Sequence, residues 1–286
     1  MESITAIVLT KNEEDNIKNC ILSIKDLCER IIVVDSGSTD KTVDIAKSLG
    51  AEVIYNDFHY YAQQWNWGMN NSQITSSWLL RIDADEQFTP ELNNEIQASI
   101  HSCGEDVNGF VMSEWYFFMG KKLRHCSGNK RKLMLFRNGM GYIEDRKRDA
   151  HTLLKGGRSI ELKSRFLHYD FKDIDNFIRK YNWYATREMQ DYVSYVEGKS
   201  ENVISDKELQ SVRRRKFGLY YKAPMFWRSH WLFLYKYIVK GGFLDGKEGL
   251  MFTFLECYWY RFLVDAKIYE FYHCSDGEFE ALESLK

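Results

Sequence analysis

The chain has 286 residues, 44% of them hydrophobic and 28% charged, with a formal net charge of −2. That length supports a real core in one large or two small domains, and the near-neutral balance excludes a global pull toward nucleic acid. The six cysteines form no C-x-x-C pair and no cluster with histidines at zinc-finger spacing, so scattered reduced thiols of a cytosolic protein are expected rather than a disulfide framework or a zinc module.

Met1-Glu2-Ser3 leads straight into an apolar run with no basic n-region, so no signal peptide is expected. No stretch of about twenty uncharged apolar residues predicts a transmembrane helix. Ile4 to Leu9 reads as a buried strand. Ile17, Cys20, Ile21, Ile24 and Leu27 recur at helical spacing. Ile31 to Val34 is a second, β-branched strand. Asp40 to Leu49 reads as a helix stopped by Gly50. Val53 to Tyr55 and Trp78 to Ile82 are the third and fourth strands. Thr89-Pro90 starts a helix, with Thr as N-cap and Pro at the first helical position. This alternation implies an α/β fold, a mostly parallel sheet covered by helices.

From about Gly109 the pattern changes. Phe110 to Phe118 and Leu133 to Phe136 look like strands around a polar, basic loop. Asp173 to Val196 is a long helix, and Ser200 to Glu208 reads as a polar linker. Residues 211–240 and 247–273 are aromatic helical segments. The chain thus divides into an α/β domain over 1–170 and a helical region over 171–286.

Asp83-Ala84-Asp85 follows the fourth strand directly. In open α/β sheets, ligands bind beyond the carboxyl ends of the strands. Carboxylates at i and i+2 there can share a divalent ion, or divide their work between an ion and a ribose hydroxyl. Mg²⁺ or Mn²⁺ takes such hard oxygen ligands and bridges substrate phosphates. The second strand likewise ends in Asp35, ahead of Ser36-Gly37-Ser38-Thr39-Asp40. Ser38 and Asp40 read as caps, whereas Asp35 precedes the turn and is free to accept from a base or ribose. The first strand ends in Thr10-Lys11-Asn12-Glu13-Glu14, so three strand ends present polar, mainly acidic groups to one edge. No G-x-G-x-x-G or P-loop pattern is present, which argues against a dinucleotide enzyme or a P-loop NTPase.

The runs Ile7-Val-Leu-Thr-Lys-Asn-Glu-Glu, Val33-Val-Asp-Ser-Gly-Ser-Thr-Asp and Trp78-Leu-Leu-Arg-Ile-Asp-Ala-Asp-Glu resemble glycosyltransferase family 2. Phe136-Arg137, Asp149-Ala150-His151, Leu167-His168-Tyr169 and Gly242-Phe-Leu-Asp-Gly246 look like later landmarks of its lipopolysaccharide-core β-1,4-glucosyltransferase subgroup. The resemblance implies a GT-A fold and an inverting enzyme that uses nucleoside-diphosphate sugars. It implies that Thr10, Asn12 and Glu13 line the nucleotide pocket, with Asp35 on the base or ribose. Gln63 or Gln64, and Asn66, would sit near the nucleotide. Asp83 would face the ribose or the ion, and Asp85 would bind the metal. His168 is a further metal or diphosphate partner, as is His151.

An inverting transfer needs a carboxylate to take the acceptor's proton as it attacks the anomeric carbon. The acids near Tyr142–Thr152 supply Asp149 as the first choice, with Glu144 and Asp145 behind it. The subgroup often reads Val-His-Glu where this chain has Ala150-His151-Thr152, so no acid stands at 152.

From Arg213 to Lys240 every charged residue is basic, and aromatic residues are interleaved. On a helical wheel Trp227, Trp231, Leu234 and Ile238 share one face, with Arg228, Lys236 and Lys240 on another. That pattern suits an interfacial helix on an anionic membrane, where a lipid-linked acceptor is held.

The expected function is transfer of a hexose, such as glucose from UDP-glucose, to a glycan hydroxyl in lipopolysaccharide or another cell-surface glycan. The expected place is the cytoplasm, or the cytoplasmic face of the inner membrane, without nucleic acid as partner. A metal-dependent nucleotidyltransferase and a degenerate GT-A scaffold are the rival readings.

Overall fold

The structure, a computed structural model, describes residues 2–128, 130–144, 151–197 and 216–274. The chain forms two compact units, Met1–Phe117 with Asn129–Asp170 and Phe118–Gly128 with Phe171–Lys286.

The first unit begins with β1 (Ile4–Thr10), α1 (Ile17–Ile24), β2 (Arg30–Asp35), α2 (Thr42–Ser48), β3 (Glu52–Tyr55), α3 (Tyr61–Asn71) and β4 (Trp78–Asp83). Every one of these strands is short and apolar, and the connections carry helices, which is why β1 to β4 pair in parallel. Both faces of β1 are covered. Ile4, Ala6 and Val8 pack into one core with α1, while Ile7 joins Trp65 of α3 in a second core on the other face. At Gly68, α3 comes so near the sheet that a Cβ there would lie 3.0 Å from the Val34 methyl. α4 (Pro90–Ser102) starts as expected, with the Thr89 hydroxyl accepting from the Leu92 N–H at 3.2 Å.

Parallel pairing fixes which ends meet. Thr10 lies opposite Asp35, Asp35 opposite Tyr55, and Leu9 opposite Asp83. The rest of the sheet is mixed. Besides β5 (Glu86–Gln87) it contains β6 (Val107–Phe118), β8 (Arg131–Arg137) and β11 (Arg158–His168), in the spatial order β3-β2-β1-β4-β8-β6-β11-β5; β7 (Lys121–Lys122) lies off this path. β8 runs antiparallel to both β4 and β6, and β11 runs parallel to β6. β5 pairs antiparallel with the end of β11, which sets His168 opposite Glu86. A small second sheet joins β9 (Gly141–Ile143) to β10 (Thr152–Leu154). The sequence reading does not identify β11. Its charged residues break the apolar run, although Leu162, Phe166 and His168 alternate toward the buried side.

The second unit is helical. α5 (Ile174–Val196) is capped by Asp173, which accepts from the Asn176 N–H at 2.7 Å. α6 (Trp227–Leu234) continues into a π-helical turn, Tyr235–Val239. A 3₁₀ turn, Gly242–Asp245, then leads into α7 (Gly246–Thr253), a second π-helical turn and α8 (Tyr260–Cys274). Among the described residues no helix is long and apolar enough to cross a membrane. Residues 200–208, read as a linker, lie outside the described residues.

The helical wheel groups Arg228 with Lys236 and Lys240 on a basic side opposite the tryptophans, and the structure separates it from them by burying it. Arg228 is 2% exposed and forms a buried ion pair with Asp265, its Nε 2.9 Å from Oδ1. An uncompensated buried guanidinium is far costlier than a paired one, so the acid on α8 draws it inward. Glu188 of α5 is buried too, accepting from Tyr221 at 2.8 Å and from Arg261 at 2.7 Å. All six cysteines are free, and Cys274 is the exposed one. Burial pushes the Cys28, Cys126 and Cys257 thiols up to about 12.

Asp245, in the Gly242–Gly246 landmark, fastens the segment 118–128 to the helices. Its carboxylate accepts from the backbone N–H groups of Arg124, His125 and Cys126 at 3.0, 2.8 and 3.0 Å. Burial pushes this carboxyl upward, but the hydrogen bonds outweigh it and lower the pKa to about 2. The folded value lies below the unfolded one of about 3.9, so the stabilisation is complete above that pH and is lost as pH falls toward the folded value. Asp245→Asn is expected to cost about 2 kcal/mol at neutral pH and to flatten this part of the acid dependence. Urea titrations of both proteins across the acid range check this.

Candidate active site

The edge where β1, β2 and β4 end carries the site. Thr10 is buried, and its Oγ1 makes no hydrogen bond among the described residues. Asn12 takes a positive φ of 55° and accepts from the Thr39 N–H at 2.8 Å. The Glu13 N–H donates to the Thr42 hydroxyl at 2.8 Å, and its carboxylate accepts from Asn16. Asp35 differs from expectation. Its carboxylate caps the turn that follows, accepting from the N–H groups of Gly37 and Ser38 at 2.9 and 3.0 Å and from the Ser38 hydroxyl at 2.5 Å. A short acid with N–H groups two and three residues ahead closes this turn locally.

The glutamines separate. Gln63 is exposed, while Gln64 is buried and bridges Ser36 to Asn56. Asn66 uses both ends of its amide on Ile143, donating to the carbonyl at 3.0 Å and accepting from the N–H at 3.2 Å. It therefore holds β9 against α3. Just beyond β9, the Glu144 N–H donates to the His151 carbonyl at 3.0 Å. Asp145 and Asp149 lie outside the described residues. Thr152, where the subgroup often has an acid, accepts from the buried Arg81 guanidinium at 2.6 Å.

The two acids of Asp83-Ala84-Asp85 have different surroundings. Asp83 accepts from the Tyr61 hydroxyl at 2.8 and 3.0 Å and pairs with Lys132 of β8 at 3.2 Å. Lys132 also pairs with Glu86, whose other oxygen accepts from the Asp83 N–H at 2.9 Å. Glu86 is 1% exposed. Burial pulls the Lys132 pKa down, but Glu86 and Asp83 outweigh it and hold the ammonium charged. Burial raises the Glu86 carboxyl despite Lys132 beside it.

Asp85 belongs to a second group. One ligand atom each from Asp85, His168 and Asp170 lies within 4.8 Å of the others. His168 Nε2 stands 3.6 Å from the Asp85 carboxylate, while its Nδ1 faces the buried Glu114 at 2.8 Å. Burial opposes protonation of His168, but Asp85 and the bonds to Asp85 and Glu114 raise its pKa to about 10. Two carboxylates and an imidazole form a donor set that fits Mn²⁺, and Mg²⁺ through the carboxylates. A carboxylate behind the imidazole is the usual support for a ligating histidine, because it fixes the ring and directs the other nitrogen outward. Asp83, expected as a ligand, stands outside this trio. Asp170 and Glu114 escape the sequence reading, which sees Lys132 only as part of the polar, basic loop. Asp170 is legible only as the residue two beyond His168, and the partners of Glu114 and Lys132 depend on strand register.

A parallel sheet whose strands end in acids at one edge, beside a carboxylate–histidine group, has the layout of a glycosyltransferase of the GT-A type. Residues 5–135 match the model of Glycosyl transferase family 2. A Rickettsia prowazekii protein named as an uncharacterized glycosyltransferase is 30% identical over 206 residues, 68% of this chain and 69% of its own. A lipopolysaccharide core biosynthesis glycosyltransferase of Rhizobium meliloti is 25% identical, covering 93% of this chain and 92% of its own. Among solved structures, glucosyl-3-phosphoglycerate synthase from Mycobacterium tuberculosis is similar at 19% identity and a TM-score of 0.36, over 49% of this chain and 58% of that one, less than two thirds of its length. The chain belongs to glycosyltransferase family 2.

Lys132 is the cation between two acids, so Lys132→Met leaves Glu86 buried without its partner. A loss of about 3 kcal/mol in stability is expected, since breaking one side of a buried pair strands the other charge. Chemical denaturation measures it, and raising the acidity should recover part of the loss as Glu86 takes up a proton.

Proposed function

We propose that this chain is an inverting hexosyltransferase that moves a sugar from a nucleoside diphosphate, such as UDP-glucose, to a glycan hydroxyl. The observation that carries the reading is the Asp85, His168 and Asp170 group set beside Asp83 at the sheet edge. Asp85, His168 and Asp170 would hold Mn²⁺ or Mg²⁺, which supplies charge neutralisation for the diphosphate.

The remaining roles fall to the chain's own groups. Tyr61 and Lys132 hold the Asp83 carboxylate in place, where it can accept from a ribose hydroxyl. The Thr10 hydroxyl, buried and without a hydrogen bond among the described residues, offers a contact to the nucleotide. Glu114 keeps the His168 ring oriented. Asp149 takes the proton from the acceptor, with Glu144 and Asp145 as the alternatives. The helical region over 171–286 serves the acceptor side. The relative from Rhizobium meliloti supports lipopolysaccharide or a similar cell-surface glycan as the acceptor class. A lipid-linked acceptor puts the reaction at the cytoplasmic face of the membrane, which this chain meets as a peripheral protein.

Asp149→Asn is expected to lower transfer on the order of a thousandfold and to leave donor binding intact. Retained turnover would move the role to Glu144 or Asp145. A thermal-shift panel of nucleotide sugars with and without Mn²⁺ is expected to show one donor with a metal-dependent shift. Asp85→Asn and Asp170→Asn should each remove that dependence; a shift that persists in both variants rejects the cation site.

A further inference from the structure

The second unit exposes apolar side chains that a water-soluble surface does not need. Trp227 and Trp231 of α6 stand outward, Trp231 at 66% exposure. Ile238 and Val239 follow in the π-helical turn, and Phe243 and Leu244 in the 3₁₀ turn, with Val239 at 71% and Leu244 at 61%. The two turns pack on one another and on α7. Large apolar surfaces of this kind mark a docking face.

The tip formed by the two turns is built stiffly. Gly241 and Gly246 bracket the 3₁₀ turn at φ of 75° and 71°, backbone that favours glycine. A Cβ on Gly249 would fall 2.3 Å from the Gly242 carbonyl oxygen, so α7 and the turn approach backbone to backbone. Asp245 then ties the turn to the Arg124, His125 and Cys126 N–H groups. The apolar tip is thus preformed and loses little entropy on docking.

Charge selects the occupant. Among the described residues of 218–250, the exposed lysines are Lys222, Lys240 and Lys247, Lys236 is half-buried, and the partly exposed Glu248 is paired with Lys121 at 3.0 Å. Arg228 and Asp265 neutralise each other inside, and the carboxylate of Asp245 is turned to backbone N–H groups. The face is therefore apolar with a basic surround. Two copies meeting through it would bring like charges together, whereas an anionic bilayer offers hydrocarbon for the tip, an interface for the tryptophans and headgroups for the lysines.

We propose that the tip made by Ile238, Val239, Phe243 and Leu244 is the membrane-inserting element of this chain, flanked by Trp227 and Trp231 and by Lys240 and Lys247. The proposal rests on the peripheral membrane reading and assigns it to a surface. It places the insertion in the two turns after α6, with the helix itself only at the interface.

The test uses the full chain and sedimentation or flotation with vesicles of phosphatidylcholine, alone or mixed with phosphatidylglycerol. Wild type is expected to bind the mixed vesicles. V239S/L244S should lower the partition coefficient at least tenfold, and K240E/K247E should remove the preference for phosphatidylglycerol. Both variants keep the donor-induced thermal shift, which shows that the fold and donor site are intact. Equal binding by V239S/L244S overturns the assignment of the tip while the membrane reading stands. No binding by wild type sinks the membrane reading itself and the tip with it. A solution dimer that V239S/L244S splits gives the face to a second copy and also overturns the proposal.

Discussion

Three acids within four residues, Asp83, Asp85 and Glu86, stand at the end of one strand, and the folded chain must accommodate their charge. At an effective dielectric of about 20, two unit charges 5 Å apart repel by about 3 kcal/mol. The strands beside β4 answer this. β8 runs antiparallel to it and delivers Lys132 to Asp83 and Glu86. β11 and β5 pair so that His168 stands opposite Glu86 and beside Asp85. The mixed half of the sheet can be understood as the means of bringing these cations to the acids that end the parallel half.

That arrangement divides the acids by task. Asp83 has a lysine and a tyrosine to fix it in place. Asp85 faces a histidine at 3.6 Å, whose far side is braced by Glu114. A divalent ion among Asp85, His168 and Asp170 would replace a proton on the imidazole, because a ligating histidine must be neutral. With that ion in place the group would balance its charge without the imidazole proton.

The parallel half of the fold was legible because its strands are uninterrupted apolar runs and its helices carry clean start and stop residues, as at Thr89-Pro90 and Gly50. β11 was hidden, since its charges interrupt the run and only Leu162, Phe166 and His168 are buried. The acids at the strand ends could be found for the same reason as the strands: each follows an apolar run directly. Their differing environments could not. Whether Arg228 turns inward depends on Asp265, a partner 37 residues away that sequence spacing does not reveal, whereas the Asp35 cap uses N–H groups only two and three residues ahead. Glu114 and the partners of Lys132 became visible only through the register of β6, β8 and β11, and Asp170 only through its place just beyond β11.

The cysteines have a practical consequence. A thiol held near pKa 12 is ionised at neutral pH by only about one part in 10⁵ and is a poor nucleophile. Burial thereby silences Cys28, Cys126 and Cys257, whereas Cys274 stands exposed at the end of the last helix. A thiol-directed fluorophore would accordingly settle on Cys274 first, in the unmodified chain and without engineered sites. That residue belongs to the unit bearing the apolar tip, so the wild-type protein carries its own attachment point for an optical reporter on that unit.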